Sequence, residues 1–141
     1  MELPAKESHS VHVMSDQTSM QWLHDGKAVI ITLTSDKRKA IDDWYEIVAA
    51  VAASWNPDET YLAVYDLTDV GLTPYFRKRS IDVAQAVSNL RGRYAVIIPD
   101  GDSSASVMRL YFETVVSQAS KRQGRIFDEV DSAIRWLEEL R

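Results

Sequence analysis

After Gly26 the chain repeats one pattern four times: an apolar run of strand length, then an amphipathic run of helix length. The strand-like runs fall at 28–33, 61–66, 94–98 and 125–127. The helix-like runs fall at 41–55, 74–90, 103–120 and 129–140. A strand, a helix and a second strand in succession mark a parallel pair, because parallel neighbours need a long crossover. The rhythm therefore predicts a small α/β domain with a largely parallel sheet. It constrains the architecture and leaves the chemistry open.

The first of these strands follows an extended pattern at 20–23 and the sequence His24-Asp25-Gly26-Lys27. Asp-Gly between apolar runs signals a hairpin turn with positive φ at both centres. Residues 20–23 are thus expected to pair antiparallel with 28–33. The run 28–33 is apolar at nearly every position, as in a strand covered on both faces. Residues 11–14 read as a short edge strand, and residues 1–10, polar with an early proline, as a flexible tail. The expected sheet is mixed, with four or five strands, in a single domain over 11–141.

Ile41, Trp44, Ile47, Val48, Val51 and Trp55 lie at helical spacing, and Asn56-Pro57 ends that helix. Thr73-Pro74 opens the next, with threonine at the N-cap and proline at the first helical position. Gly92 offers that helix a left-handed cap. Val107, Met108, Tyr111, Phe112, Val115 and Val116 give the third helix a wide apolar face, and Gly124 reads as a break before the last strand. Asp128 caps the final helix, whose stripe is Val130, Ile134 and Leu137.

The length of 141 residues suits one domain with a real core. The net charge of −5 argues against nucleic acid, whose binding needs a dominant positive field. With no cysteine, the chain has no disulfide framework and no thiolate chemistry, which fits a reducing cytoplasm. The first residues lack the basic-then-apolar pattern of a signal peptide, and no apolar run approaches bilayer length. No membrane insertion is expected.

Crossovers between parallel strands are right-handed almost without exception. If most helices lie on one face, the other face is either exposed and polar or meets a partner. Tyr61, Ala63 and Tyr65 alternate with Leu62, Val64 and Asp66, so one face carries two tyrosines and reads as partly exposed. Trp44, Trp55 and Trp136 sit on or end apolar stripes and are expected in the core. Trp22, in the hairpin, is open to exposure, and beside Tyr61 and Tyr65 it would form a partner or ligand surface.

One stretch is more specific than the rest: Tyr61-Leu62-Ala63-Val64-Tyr65-Asp66-Leu67-Thr68-Asp69-Val70. With the leading hairpin and the short loops, it resembles the STAS domain of sulfate-transporter tails and anti-sigma-factor antagonists. That family has a strand ending in Asp-Leu-Ser-x-Val before its second helix. The resemblance covers residues 20–141, mostly as pattern. In the antagonist branch the following turn carries a serine that a partner kinase phosphorylates. Here the turn reads Gly71-Leu72-Thr73-Pro74-Tyr75-Phe76-Arg77-Lys78 and holds no serine, so that switch does not carry over. Thr73 is the nearest hydroxyl and the candidate phosphoacceptor. The resemblance implies a non-catalytic regulatory module that binds a protein or a small ligand.

Asp36, Asp66, Asp100 and Asp128 each fall at or just after a strand's C-terminal end, the edge where ligands bind open parallel sheets. Such a cluster can hold magnesium, but aspartate also caps helices and opens turns, and the second reading is adopted, with no metal assigned. The helix starts at Thr73 and at Ser103-Ser104 expose backbone N–H groups that suit an anion, with Arg77, Lys78 and Arg79 one turn beyond Thr73. Arg91, Arg93, Lys121, Arg122 and Arg125 make a basic rim at the opposite edge, where cations also complement helix C-termini. His9, His12 and His24 read as exposed, with no carboxylate to orient them. Ser103, Ser104 and Ser106 lack the Gly-x-Ser-x-Gly context of a hydrolase, and no phosphate-cradling glycine motif is present.

The expected function is a non-enzymatic cytoplasmic module of STAS-like type, without a cofactor. It would bind a protein, or a small apolar or anionic ligand, through Asp66, Asp69, Thr73, Arg77, Lys78, Asp100, Ser103 and Ser104. The alternatives are a homodimeric scaffold, paired through the hairpin or the open sheet face, and a metal-dependent enzyme at the aspartate-rich edge.

Overall fold

The computed structural model describes residues 1–99, 101, 103–116, 118 and 123–139. Six strands form one sheet in chain order: β1 (His12–Ser15), β2 (Thr18–Leu23), β3 (Ala28–Leu33), β4 (Tyr61–Asp66), β5 (Gly92–Ile97) and β6 (Gln123–Phe127). The first three are antiparallel neighbours, and β3 to β6 run parallel. Helix α1 (Arg38–Ser54) joins β3 to β4, and α2 (Pro74–Ala86) joins β4 to β5. After β5 comes α3 (Ser103–Tyr111), which widens into a π turn over Phe112–Val116, and α4 (Val130–Glu138) follows β6. The mixed α/β sheet is the one that the rhythm predicts. It has six strands rather than four or five, since β1 pairs along the edge of β2, with a register shift between Val13 and Ser15.

The hairpin pairs as expected and extends the register from Leu23–Ala28 to Thr18–Leu33. Its turn takes positive φ at three residues, His24, Asp25 and Gly26. Gly26 also lies under the Lys6 side chain, where a Cβ would come within 2.5 Å of the lysine Cβ. Residues 1–10 contain no strand or helix, yet Leu3 packs on the core. Trp22 donates its indole N–H to the Pro4 carbonyl at 2.9 Å. The Lys6 ammonium sits over Trp22 and Trp55 at 5.7 and 6.0 Å. Trp22 is therefore buried, at 1% exposure, and not a free surface.

Two cores flank the sheet. On one face α1, α2 and α3 cover Trp22, Ile31, Tyr61, Tyr65, Tyr94 and Val96, joined by Trp44, Val48, Phe76 and Phe112 from the helices. On the other face α4 lays Ala133, Trp136 and Leu137 against Leu62, Val64, Ala95 and Ile97. The expectation of a face left to solvent or to a partner is thus corrected across β4 and β5. The chain turns back after β6 and supplies its own cover. The tyrosine face is corrected too: Tyr61 and Tyr65 are buried under α1, with their hydroxyls hydrogen bonded to each other at 2.8 Å. Alternation separates the two faces of a strand but does not say which a helix will cover.

Two glycines have roles other than those their sequence context suggests. Gly92 is the first residue of β5, at φ 149°, and not a helix cap. A Cβ there would lie 1.9 Å from the Tyr61 carbonyl oxygen. Gly124 is inside β6 rather than before it, and a Cβ there would meet the Tyr94 ring at 2.2 Å. The expected wide apolar face of α3 is also narrower: Met108, Phe112 and Val116 are buried, while Val107 and Val115 are exposed, as is Leu110.

Helix α2 is fastened to α1 by a charged cluster. The Arg79 guanidinium lies 3.2 Å from Asp42 and 2.8 Å from Asp82, and stacks 4.0 Å over the Tyr45 ring. Tyr75 donates its hydroxyl to the same Asp42 carboxylate. At the far edge, Arg93 sits 4.7 Å over the Trp136 ring and donates to the Trp136 carbonyl at the C-terminal end of α4. Among the described residues no helix is long and apolar enough to cross a membrane.

Candidate functional site

A cleft of about 630 Å³ opens at the carboxyl edge of the parallel strands, between the β4–α2 loop and the start of α3. It is of the size that small-molecule sites usually have, roughly 300–1,000 Å³. Leu67, Val70, Leu72, Ile98, Val107 and Met108 supply apolar walls. Thr68, Asp69, Ser103 and Ser104 supply the polar ones.

Each wall has a local cause. The 67–73 loop starts with an Asx turn: the Asp66 carboxylate accepts from the Thr68 N–H at 3.1 Å and from its hydroxyl at 2.6 Å. Leu67 stays tied to the sheet through its N–H on the Ile97 carbonyl, and the Val70 N–H closes back on the Leu67 carbonyl. Gly71 lies against Asp36, where a Cβ would meet the carboxylate at 2.7 Å. The loop ends at Thr73, whose hydroxyl oxygen accepts from the Phe76 N–H at 3.1 Å. That is the predicted N-cap, with Pro74 behind it.

The opposite wall is the first turn of α3. Arg109, one turn further on, fixes that wall from outside. It donates to the Ile98 carbonyl at 2.7 Å and pairs with Asp128 before α4. Tyr111 donates its hydroxyl to the Arg77 carbonyl at 2.7 Å, which ties α3 to α2. Burial raises the Tyr111 pKa. Tyr75, at the base of α2, is raised chiefly by its hydrogen bond to Asp42.

Of the residues that the sequence pointed to, Asp69, Ser103 and Ser104 line the cleft. Asp66 and Thr73 stand behind it and shape its loop. Arg77 and Lys78 are exposed on α2 and do not line it. Asp100 lies outside the described residues. Asp128 is paired with Arg109, and among the described residues no three histidine, aspartate or glutamate side chains come together as a metal-ligand group. The apolar half of the lining was not foreseen. The seven-residue loop between β4 and α2, longer than its neighbours require, was the available signal.

The other constellations are spent on structure. His9 lies 3.2 Å from Asp25, and His24 lies 3.1 Å from Glu138, so two histidines do face carboxylates, contrary to expectation. His12 bonds to Ser8 at 2.9 Å and is half-buried along with His24. In the basic rim, Arg93 is occupied with α4, Arg125 sits 5.2 Å over the Phe127 ring, and Lys121 and Arg122 lie outside the described residues. No protein-family model matches the chain, and no curated protein or solved structure matches it either.

Proposed function

We propose that this chain is a non-enzymatic, cytoplasmic module of STAS-like type that binds a small molecule in the cleft between the β4–α2 loop and α3. The observation that carries the reading is the cleft itself: about 630 Å³, at the carboxyl edge of parallel strands, with apolar walls and a few hydroxyls at its rim. Its loop is shaped in advance by the Asp66 turn and the Thr73 cap, which lowers the ordering cost of binding. The polar side chains in its lining are the Thr68, Ser103 and Ser104 hydroxyls and the Asp69 carboxylate, which can hold and orient a ligand. An amide NMR titration with a panel of small carboxylates, phosphates and neutral apolar compounds tests this. Saturable shifts confined to 67–72, 98, 99, 101, 103–105, 107 and 108 are expected for at least one class. Shifts that never saturate, or that gather elsewhere, would overturn it.

A second reading has one specific observation in its favour. Val13 on the edge strand β1 and Val11 just before it are 81% and 60% exposed. Exposed apolar edge strands invite pairing with another chain, which suits a homodimeric scaffold joined at the hairpin. Sedimentation separates the two: a dimer that Val13→Lys dissociates supports the scaffold, and a monomer removes it.

A further inference from the structure

We infer that residues 3–9 form a latch over the Trp22–Trp55 pair, with Lys6 as its catch, and that this latch opens locally while the sheet stays folded. Trp22 pairs with Val29 near the start of β3, and Trp55 ends α1 just before β4. The pair thus lies near the amino ends of the parallel strands, away from the cleft and independent of any ligand there.

Few contacts hold the segment down, and no strand ladder is among them. Among the described residues, its one backbone–backbone hydrogen bond is internal, from the Ser8 N–H to the Ala5 carbonyl at 2.9 Å. Two side chains of β2 reach it. Trp22 donates its indole N–H to the Pro4 carbonyl at 2.9 Å, and Gln21 donates its amide to the His9 carbonyl at 2.8 Å. Leu3 packs on the core. His9 lies 3.2 Å from Asp25, but both are largely exposed, and such pairs contribute little. The Lys6 ammonium is 5.7 and 6.0 Å from the two indoles, whose centroids are 6.1 Å apart. Its carbon stem lies on Gly26, where any Cβ would strike it.

Ordering such a segment costs backbone entropy at every residue, and only these few anchors offset it. The closed latch carries a further cost. Trp55, beneath Lys6, is 4% exposed, and among the described residues its indole N–H has no hydrogen-bond partner. A buried donor left unpaired disfavours the state that buries it. By contrast, β2 and β3 pair over six residues and pack under α1, so they belong to the most stable part of the molecule. The segment belongs to the least stable part and opens first. A cation over two indoles is a directed anchor, and removing its charge loosens the latch without touching the sheet. Opening uncovers both indoles, a residue type enriched at the centres of protein interfaces. The latch keeps that aromatic surface covered until it is lifted.

Hydrogen exchange followed by NMR on the whole chain tests this, reading the Trp22 indole N–H against the slowest backbone amides of β3. The indole N–H is expected to be protected about tenfold less than those amides, or weaker still. Lys6→Gln keeps much of the side chain and removes the charge; it should lower the indole protection about threefold further. Lys6→Arg keeps the cation and should leave that protection unchanged. The β3 amides should stay the same in both variants. Lys6 is half-buried in a segment without strand or helix, so both variants fold. Equal protection of the indole and the strand would overturn the latch. So would a Lys6→Gln variant in which the indole is unchanged or moves together with the strand, or a Lys6→Arg variant as loose as Lys6→Gln.

Discussion

At the scale of single residues, the fold turns on positions where a side chain would not fit. Gly92 allows β5 to start against the Tyr61 carbonyl, and its φ of 149° is one that other residues rarely adopt. Gly92→Ala must open the β4–β5 pair, and the expected loss is about 2 kcal/mol or more, read as a lower denaturant midpoint. An unchanged midpoint would contradict the register described. Thr73 is simpler. Its hydroxyl satisfies one N–H of α2, so Thr73→Ala should cost about 1 kcal/mol, and Thr73→Ser almost nothing. Thr73 and Pro74 were readable from the sequence because an N-cap is a local event. Gly92 was misread as a cap because its constraint comes from Tyr61, thirty-one positions away. The glycine is visible in a sequence, but the carbonyl that needs it is not.

At the scale of elements, the strands and helices were legible while their outer surroundings were not. Period and punctuation placed β3, β4, α1 and the start of α2 within a few residues. Helix α4 was found as a helix, but nothing local says that it folds across the second face. Its Ala133 is fully buried in a small cluster with Ala28 and Ala95, and three small residues of this kind become meaningful only once the layers are known. Trp136 is the largest side chain of that cluster, at 6% exposure and 5.6 Å from the Phe127 ring. Trp136→Ala is expected to cost about 3–5 kcal/mol in equilibrium unfolding and to expose Leu62 and Val64. If stability falls by less than about 1 kcal/mol, α4 is not the cover of this face. The cleft was half legible for the same reason. Its hydroxyls and Asp69 sit where sequence reasoning looks for ligands, at strand ends, but its apolar walls are made only when two loops and a helix start converge.

At the scale of the whole molecule, the charged cluster between α1 and α2 and the α3–α2 contact set a limit in alkali. The Tyr75 and Tyr111 pKa values are both raised, so the folded chain favours the neutral phenol at each site. Their contribution to stability is full below the unfolded tyrosine pKa of about 10 and is lost as pH rises through the folded values. The urea midpoint should therefore hold steady from neutrality and fall above about pH 10. Tyr75→Phe, which removes one titrating group, should make that fall shallower. A midpoint flat through the same range would show that neither phenol is linked to folding. The account's central claim is that the cleft at the carboxyl edge of the sheet holds a small molecule. Native mass spectrometry of the chain purified from cells, beside Ser104→Trp, tests it most directly. The prediction is an adduct of defined mass on the parent chain, released on denaturation and absent from the variant with the blocked mouth. Bare chain mass in both, or an adduct that Ser104→Trp retains undiminished, would contradict it.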